Sequence, residues 1–181
     1  MSNPRRYLIR ILSLLFLSSV SIFPQDSLFS HQSARFEIGL GMGIVGEGGG
    51  FSGQLAFSYL YKNLGGLIRL SANDGKEGKG GWFGPPKEAF YDKGILISYI
   101  PIQGESWQMI SSAGIGSFSG RRLTNSKYDL EDFDPVIGFA YELGVASAGS
   151  TFGWKLNFMG NINSVSNLFA IVLSFTLGYQ K

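Results

Sequence analysis

Large apolar residues recur at every second position through most of this chain, and the positions between them are small or polar. The segment from Phe169 shows the pattern most cleanly. Phe169, Ile171, Leu173, Phe175, Leu177 and Tyr179 alternate with Ala170, Val172, Ser174, Thr176 and Gly178. A period of two is that of a β-strand, whose successive side chains point to opposite faces. The same alternation predicts seven further strands. They are Phe36–Val45, Phe51–Tyr61, Gly66–Asn73, Tyr91–Ile100, Trp107–Phe118, Phe133–Ser147 and Phe152–Ile162, with the weakest alternation in the fifth. Pro135 falls at the start of the sixth strand, where a missing N–H is tolerable.

In a closed eight-stranded barrel the interior is just wide enough for side chains or one small ligand. The large set includes aromatics on most strands and would overfill that space. The small set of glycine, alanine, serine and a few charges would fit it. The large residues are therefore expected outside, facing lipid. Closure is also expected to leave no strand edge in need of protection.

The lengths of the connections agree with this inside-out reading. Starting from the side of the first strand's N-terminus, the two long connections, near 74–90 and 119–132, fall on the opposite side of the barrel. The connections near Asn63, Gln103 and Gly149 are short. Long external loops and short periplasmic turns are the outer-membrane pattern. Tyr59, Tyr61, Tyr99, Trp107, Trp154 and Tyr179 cluster near the expected periplasmic ends, where amphipathic rings favour the interface.

Composition narrows the class further. The 181 residues carry 26 glycines, 14% aromatics and no cysteine. Abundant glycine disfavours long helices, aromatics favour strands, and the lack of cysteine removes disulfides, thiol chemistry and a lipoprotein anchor. Arg5, Arg6 and Arg10 precede an apolar run, Ile11 to Phe23, that ends at Pro24. Residues 1–25 are thus expected to be a signal peptide, cleaved between about Ser19 and Ser30, with 26–181 forming the barrel domain. Removing those three of the 15 basic residues leaves 12 against 13 acidic ones, so no basic excess points to nucleic acid.

The signal-like N-terminus, the eight amphipathic strands and the aromatic Tyr179 that ends the last strand's alternation together resemble the small outer-membrane barrels of the OmpA/OmpX type, although their aromatic is usually the last residue and here Gln180 and Lys181 follow it. The resemblance covers about Ala34 to Tyr179 and is architectural. It implies an all-β, eight-stranded antiparallel up-and-down transmembrane barrel in the outer membrane of a diderm bacterium. The reading that goes with it is a monomer with a structural or surface-interaction role and no cofactor; the residues, not the resemblance, speak against enzymatic activity.

Four charges fall on the small-residue face: Glu37, Arg69, Glu142 and Lys155. Asp92 and Asp134 lie nearer the outer rim. A turn centred near Gly149 would set Glu142 almost opposite Lys155. A charge in a narrow lumen must be paired or hydrated, so these residues form either a polar plug or a salt-bridge gate in a small pore. On the surface, Arg121 and Arg122 suit lipopolysaccharide phosphates. Trp82 and Phe83 offer loop aromatics for adhesion or lipid contact.

Other motifs carry less. Gly41 to Gly46 matches a dinucleotide-binding pattern, but Glu47-Gly48-Gly49-Gly50 follows it where a helix is required. The acidic residues Asp129, Glu131, Asp132 and Asp134 lack calcium-loop spacing. The single histidine, His31, precedes the first strand, so no base is at hand for hydrolysis. An outer-membrane lipid-modifying enzyme and a soluble lipocalin-like barrel are the alternative readings.

Overall fold

A computed structural model of the chain describes residues 32–78, 86–124, 129–148 and 151–180. The expected signal segment, His31, Trp82, Phe83 and Gly149 lie outside the described residues. The described chain forms eight strands: β1 (Gln32–Val45), β2 (Gly48–Tyr61), β3 (Leu64–Glu77), β4 (Lys87–Gln103), β5 (Trp107–Leu123), β6 (Leu130–Ser147), β7 (Phe152–Ile162) and β8 (Leu168–Gln180). Each pairs antiparallel with its neighbours in sequence, and β1 pairs with β8 to close the barrel. No helix among the described residues is long and apolar enough to cross a membrane, a statement that does not bear on crossing by strands.

The faces fall as the alternation requires. On β1, Phe36, Ile38, Leu40, Met42 and Ile44 are exposed; on β8, so are Ile171, Leu173, Phe175 and Leu177. Most residues between them are buried, among them Glu37, Val172 and Ser174. Close strand packing needs glycine at particular points. At Gly41 a Cβ would collide with the Ile171 carbonyl of β8. Gly46, with φ near +60°, opens the two-residue turn between β1 and β2, a position that suits glycine.

Most strands run further than the alternation predicts, chiefly on the side of the long connections. There β3 pairs with β4 as far as Glu77 and Lys87, and β5 with β6 as far as Leu123 and Leu130. The extensions are largely polar and lack the repeating large apolar residues of the other strand segments, so periodicity could not mark them. They form a wall that rises above the rest of the barrel.

That wall corrects the expectation that no edge needs protection. The β6–β7 ladder begins only at Phe139 and Ile162, so the far side of β6 from Leu130 to Gly138 carries no strand pairing. This edge is blunted by Glu131, Asp132, Asp134 and Pro135, the usual defence of an open strand. Pro135 is also not at the start of its strand. It sits inside β6, where the register slips by one between Phe118–Val136 and Gly120–Phe133. Pro101 lies at a similar slip between Tyr99 and Ile102 of β4. Both strand prolines thus occupy bulges, where no ladder hydrogen bond is lost.

Candidate functional site

The lumen is the most elaborate part of the molecule. Six charged side chains are buried within it, all at 5% exposure or less: Arg35, Glu37, Arg69, Asp92, Glu142 and Lys155. Three are acidic and three basic, so the buried set is neutral. Glu37, Lys155, Glu142, Arg69 and Asp92 form a chain of alternating sign. Lys155 Nζ lies 2.9 Å from Glu37 Oε2 and pairs with Glu142 Oε1 as well. Arg69 Nη1 lies 3.5 Å from Glu142 Oε2, and Arg69 Nη2 lies 2.6 Å from Asp92 Oδ2.

Neutral polar groups complete the set. Gln54 donates to Glu142 at 3.2 Å and accepts from Asn157 at 3.0 Å. Asn161 donates to Asp92 at 2.5 Å. Arg69 spends its remaining donors across the lumen, on the carbonyls of Tyr141 at 2.9 Å and Gly160 at 3.2 Å. With its amide oxygen turned toward β1, Gln108 accepts from Arg35 Nη1 at 2.6 Å. Buried charges with this many partners meet the condition that desolvation imposes.

The polar chain lies between apolar plugs. At the end of the long connections, Val45, Phe90, Phe118 and Leu168 pack together, with Phe133 and Val136 against them. The Phe90 and Phe118 rings stack at 5.6 Å. The β6 bulge brings both Phe133 and Val136 to this cluster, which simple alternation would not do. At the opposite end, Leu60, Ile100, Ile110 and Ala146 form a second cluster. The lumen is therefore not lined only by small and polar residues, as the sequence alone suggests. The weak alternation of β5 has the same origin: Ile110 and Phe118 point inward while Ser111, Ala113 and Ser117 point outward.

All four residues expected in the lumen are there and are linked, but the register between two of them differs from expectation. Lys155 stands opposite Ala146, and Glu142 opposite Met159. The four-residue offset, about 13 Å along a strand at ~3.3 Å per residue, is bridged by side chains inside the barrel. Asp92 is not at the rim but is fully buried against Arg69. Asp134 lies exposed on the β6 extension. Arg35 and Gln54 were missed. Arg35 shares the face of Glu37 two positions away, a signal that extending the first strand would have caught.

Arg121 and Arg122 are exposed on the β5 extension, and acids already face them. Arg121 Nε is 2.8 Å from Asp132 Oδ1, and Arg122 Nη2 is 3.8 Å from Glu131 Oε2. Lys76 pairs with Glu47 at 2.5 Å and Lys87 with Asp74 at 2.9 Å. The hydrogen bond to Glu47, with the charge behind it, raises the Lys76 pKa. No three acidic or histidine side chains converge as metal ligands among the described residues.

No family model matches the chain, and no curated protein matches it in sequence. Solved structures do match in shape. Ail, the attachment invasion locus protein of Yersinia pestis, solved with the heparin analogue sucrose octasulfate, aligns with TM-score 0.59 at 9% identity, over 83% of this chain and 99% of that one. Neisserial surface protein A aligns with TM-score 0.58 at 10% identity, over 82% and 96%. The N-terminal β-barrel domain of OprF from Pseudomonas aeruginosa aligns with TM-score 0.55 at 7% identity, over 83% and 98%. At these identities the likeness is one of fold. With its closed antiparallel sheet, the chain has the fold of the small eight-stranded outer-membrane barrels.

Proposed function

We propose that the protein is a monomeric, non-conducting outer-membrane barrel of a diderm bacterium, exported by residues 1–25, whose role is structural or surface-interacting. One observation carries this reading: exposed large apolar residues occur on all eight strands, while the buried charges inside are neutral as a set. Water would penalise such an exterior, and lipid accommodates it. A soluble lipocalin-like barrel would present the reverse arrangement. The plugged lumen argues for a scaffold over a pore. Closure of β1 onto β8, with the unpaired edge confined to the outer part of β6, is in keeping with a monomer.

The surface role would fall to the β3–β4 and β5–β6 hairpins and to Trp82 and Phe83 in the first of their loops. The described charges around the outer end are mostly acidic: Glu47, Asp74, Glu77, Glu88, Asp129, Glu131, Asp132 and Asp134 stand against Lys76, Lys87, Arg121 and Arg122. The sulfated ligand of Ail therefore has no evident counterpart on this rim. Lipopolysaccharide phosphates would reach Arg121 and Arg122 only by competing with Asp132 and Glu131.

Labelling on intact cells tests the orientation. The protein has no cysteine of its own. Cysteines replacing Glu77 or Asp129 are expected to react with a membrane-impermeant thiol reagent. Cysteines replacing Lys62 or Glu105, in the short connections, should react only after the outer membrane is breached. Labelling in the opposite order would invert the topology.

A further inference from the structure

We propose that Lys93, with Ser117 and Ser119, forms a site on the outer wall of the barrel for the phosphate group of an anionic outer-leaflet lipid. The inference rests on the membrane reading above and deepens it. Lys93 lies on β4 between the buried Asp92 and Gly94, so its side chain points outward. Its companions on that face, Tyr91, Ile95 and Ile97, are exposed at 49%, 66% and 65%. A cation in that line is out of place unless something meets it.

Nothing in the described protein does. Arg69, Lys76, Lys87, Arg121, Arg122 and Lys155 all have carboxylate partners. Lys62 lies over the Tyr61 ring, and Arg35 bonds to the Ser147 carbonyl. Lys93 has no acidic partner among the described residues. Its strand neighbours are Leu70 on β3 and Ser117 on β5; one outward step further, Tyr91 stands opposite Ser119. Neither serine hydroxyl has a hydrogen-bond partner among the described residues. One ammonium and two hydroxyls on adjacent strands thus share a polar patch in an apolar wall.

The height of the patch selects the ligand. The next step along the same ladder pairs Ala89 with Arg121, whose partner Asp132 is exposed on the polar β6 extension. Lys93 is therefore near the upper boundary of the apolar belt, within reach of the headgroup layer for a snorkelling lysine. The cost of an outward charge is largest at mid-membrane and small near the interface. The anion present at that depth is a lipid phosphate, with which a lysine pairs as a point charge and the hydroxyls as donors.

The test uses full-length mature protein, wild type and Lys93→Met, unfolded by urea from phosphatidylcholine vesicles. The vesicles are used plain, with lipid A, with dephosphorylated lipid A, or plain with inorganic phosphate. Lipid A is expected to raise the wild-type folded-to-unfolded ratio about fivefold over its dephosphorylated form, the scale of one lysine at an anionic surface. Lys93→Met should lose that gain yet be no less stable than wild type in plain vesicles. Ser117→Ala should lose part of it. A Lys93→Met variant that keeps the full gain overturns the site, as does an equal gain with dephosphorylated lipid. A gain from inorganic phosphate alone would make it a free-anion site and overturn the lipid assignment. A chain that inserts into no vesicle overturns the membrane reading and the site with it. A chain that inserts without a phosphate-dependent gain overturns the site alone.

Discussion

Replacing Lys155 with alanine is expected to destabilise the barrel by about 3–5 kcal/mol, the scale for stripping one partner from a buried ion pair. The Lys155 side chain is fully enclosed, and it serves two carboxylates, Glu37 and Glu142. They are not equally dependent on it. Glu142 keeps Arg69 and Gln54 when Lys155 is lost, whereas both hydrogen bonds shown to the Glu37 carboxylate come from Lys155. Adding Glu37→Gln to Lys155→Ala should therefore recover stability, and adding Glu142→Gln should recover less. A double-mutant cycle on urea unfolding in detergent measures this directly. A Glu37–Lys155 coupling indistinguishable from zero would mean that the two charges are separately hydrated. Strong coupling with unchanged bilayer conductance in the variants would identify a plug and eliminate a gate.

The second large effect concerns the outer face. Phe139→Arg is expected to lower stability in lipid, by less than the ~2–4 kcal/mol that an arginine costs at the midplane of a barrel's lipid face, because Phe139 pairs with Ile162 at the outer end of β7. Phe139 is 49% exposed and stacks against Tyr141 at 6.2 Å between centroids. Its neighbour Ala140 is fully buried, so Ala140→Ser adds a small hydroxyl to a lumen already rich in polar groups. The arginine variant should fold into vesicles with much lower yield than the serine variant. Equal yields would remove Phe139 from the lipid face.

The existence, order and outward face of all eight strands were legible because a period of two leaves a mark in every membrane-height segment. What was not legible has particular causes. Alternation assigns a side chain to a face but not to a height, so Glu142 and Lys155 were set opposite each other when four residues separate their levels. Their pairing survives because long side chains meet diagonally across the lumen. Asp92 was assigned to the rim because β4 was started late; the strand in fact begins at Lys87. The inward Phe90 and Phe118 were hidden by the assumption that a small barrel holds only small residues, whereas its outer end is closed by a stack of rings. The unpaired edge of β6 follows from unequal strand lengths, which the polar hairpins conceal.

The central claim is that the large-residue face meets acyl chains. A lone tryptophan at Leu173, with Trp82, Trp107 and Trp154 changed to phenylalanine, reads this directly. Leu173 is 52% exposed on the outward line of β8. In vesicles of phospholipid brominated at mid-chain, its fluorescence is expected to be strongly quenched and its emission to be that of an apolar site. Emission characteristic of water, unaffected by the brominated lipid, would contradict the account and return the chain to the soluble barrels.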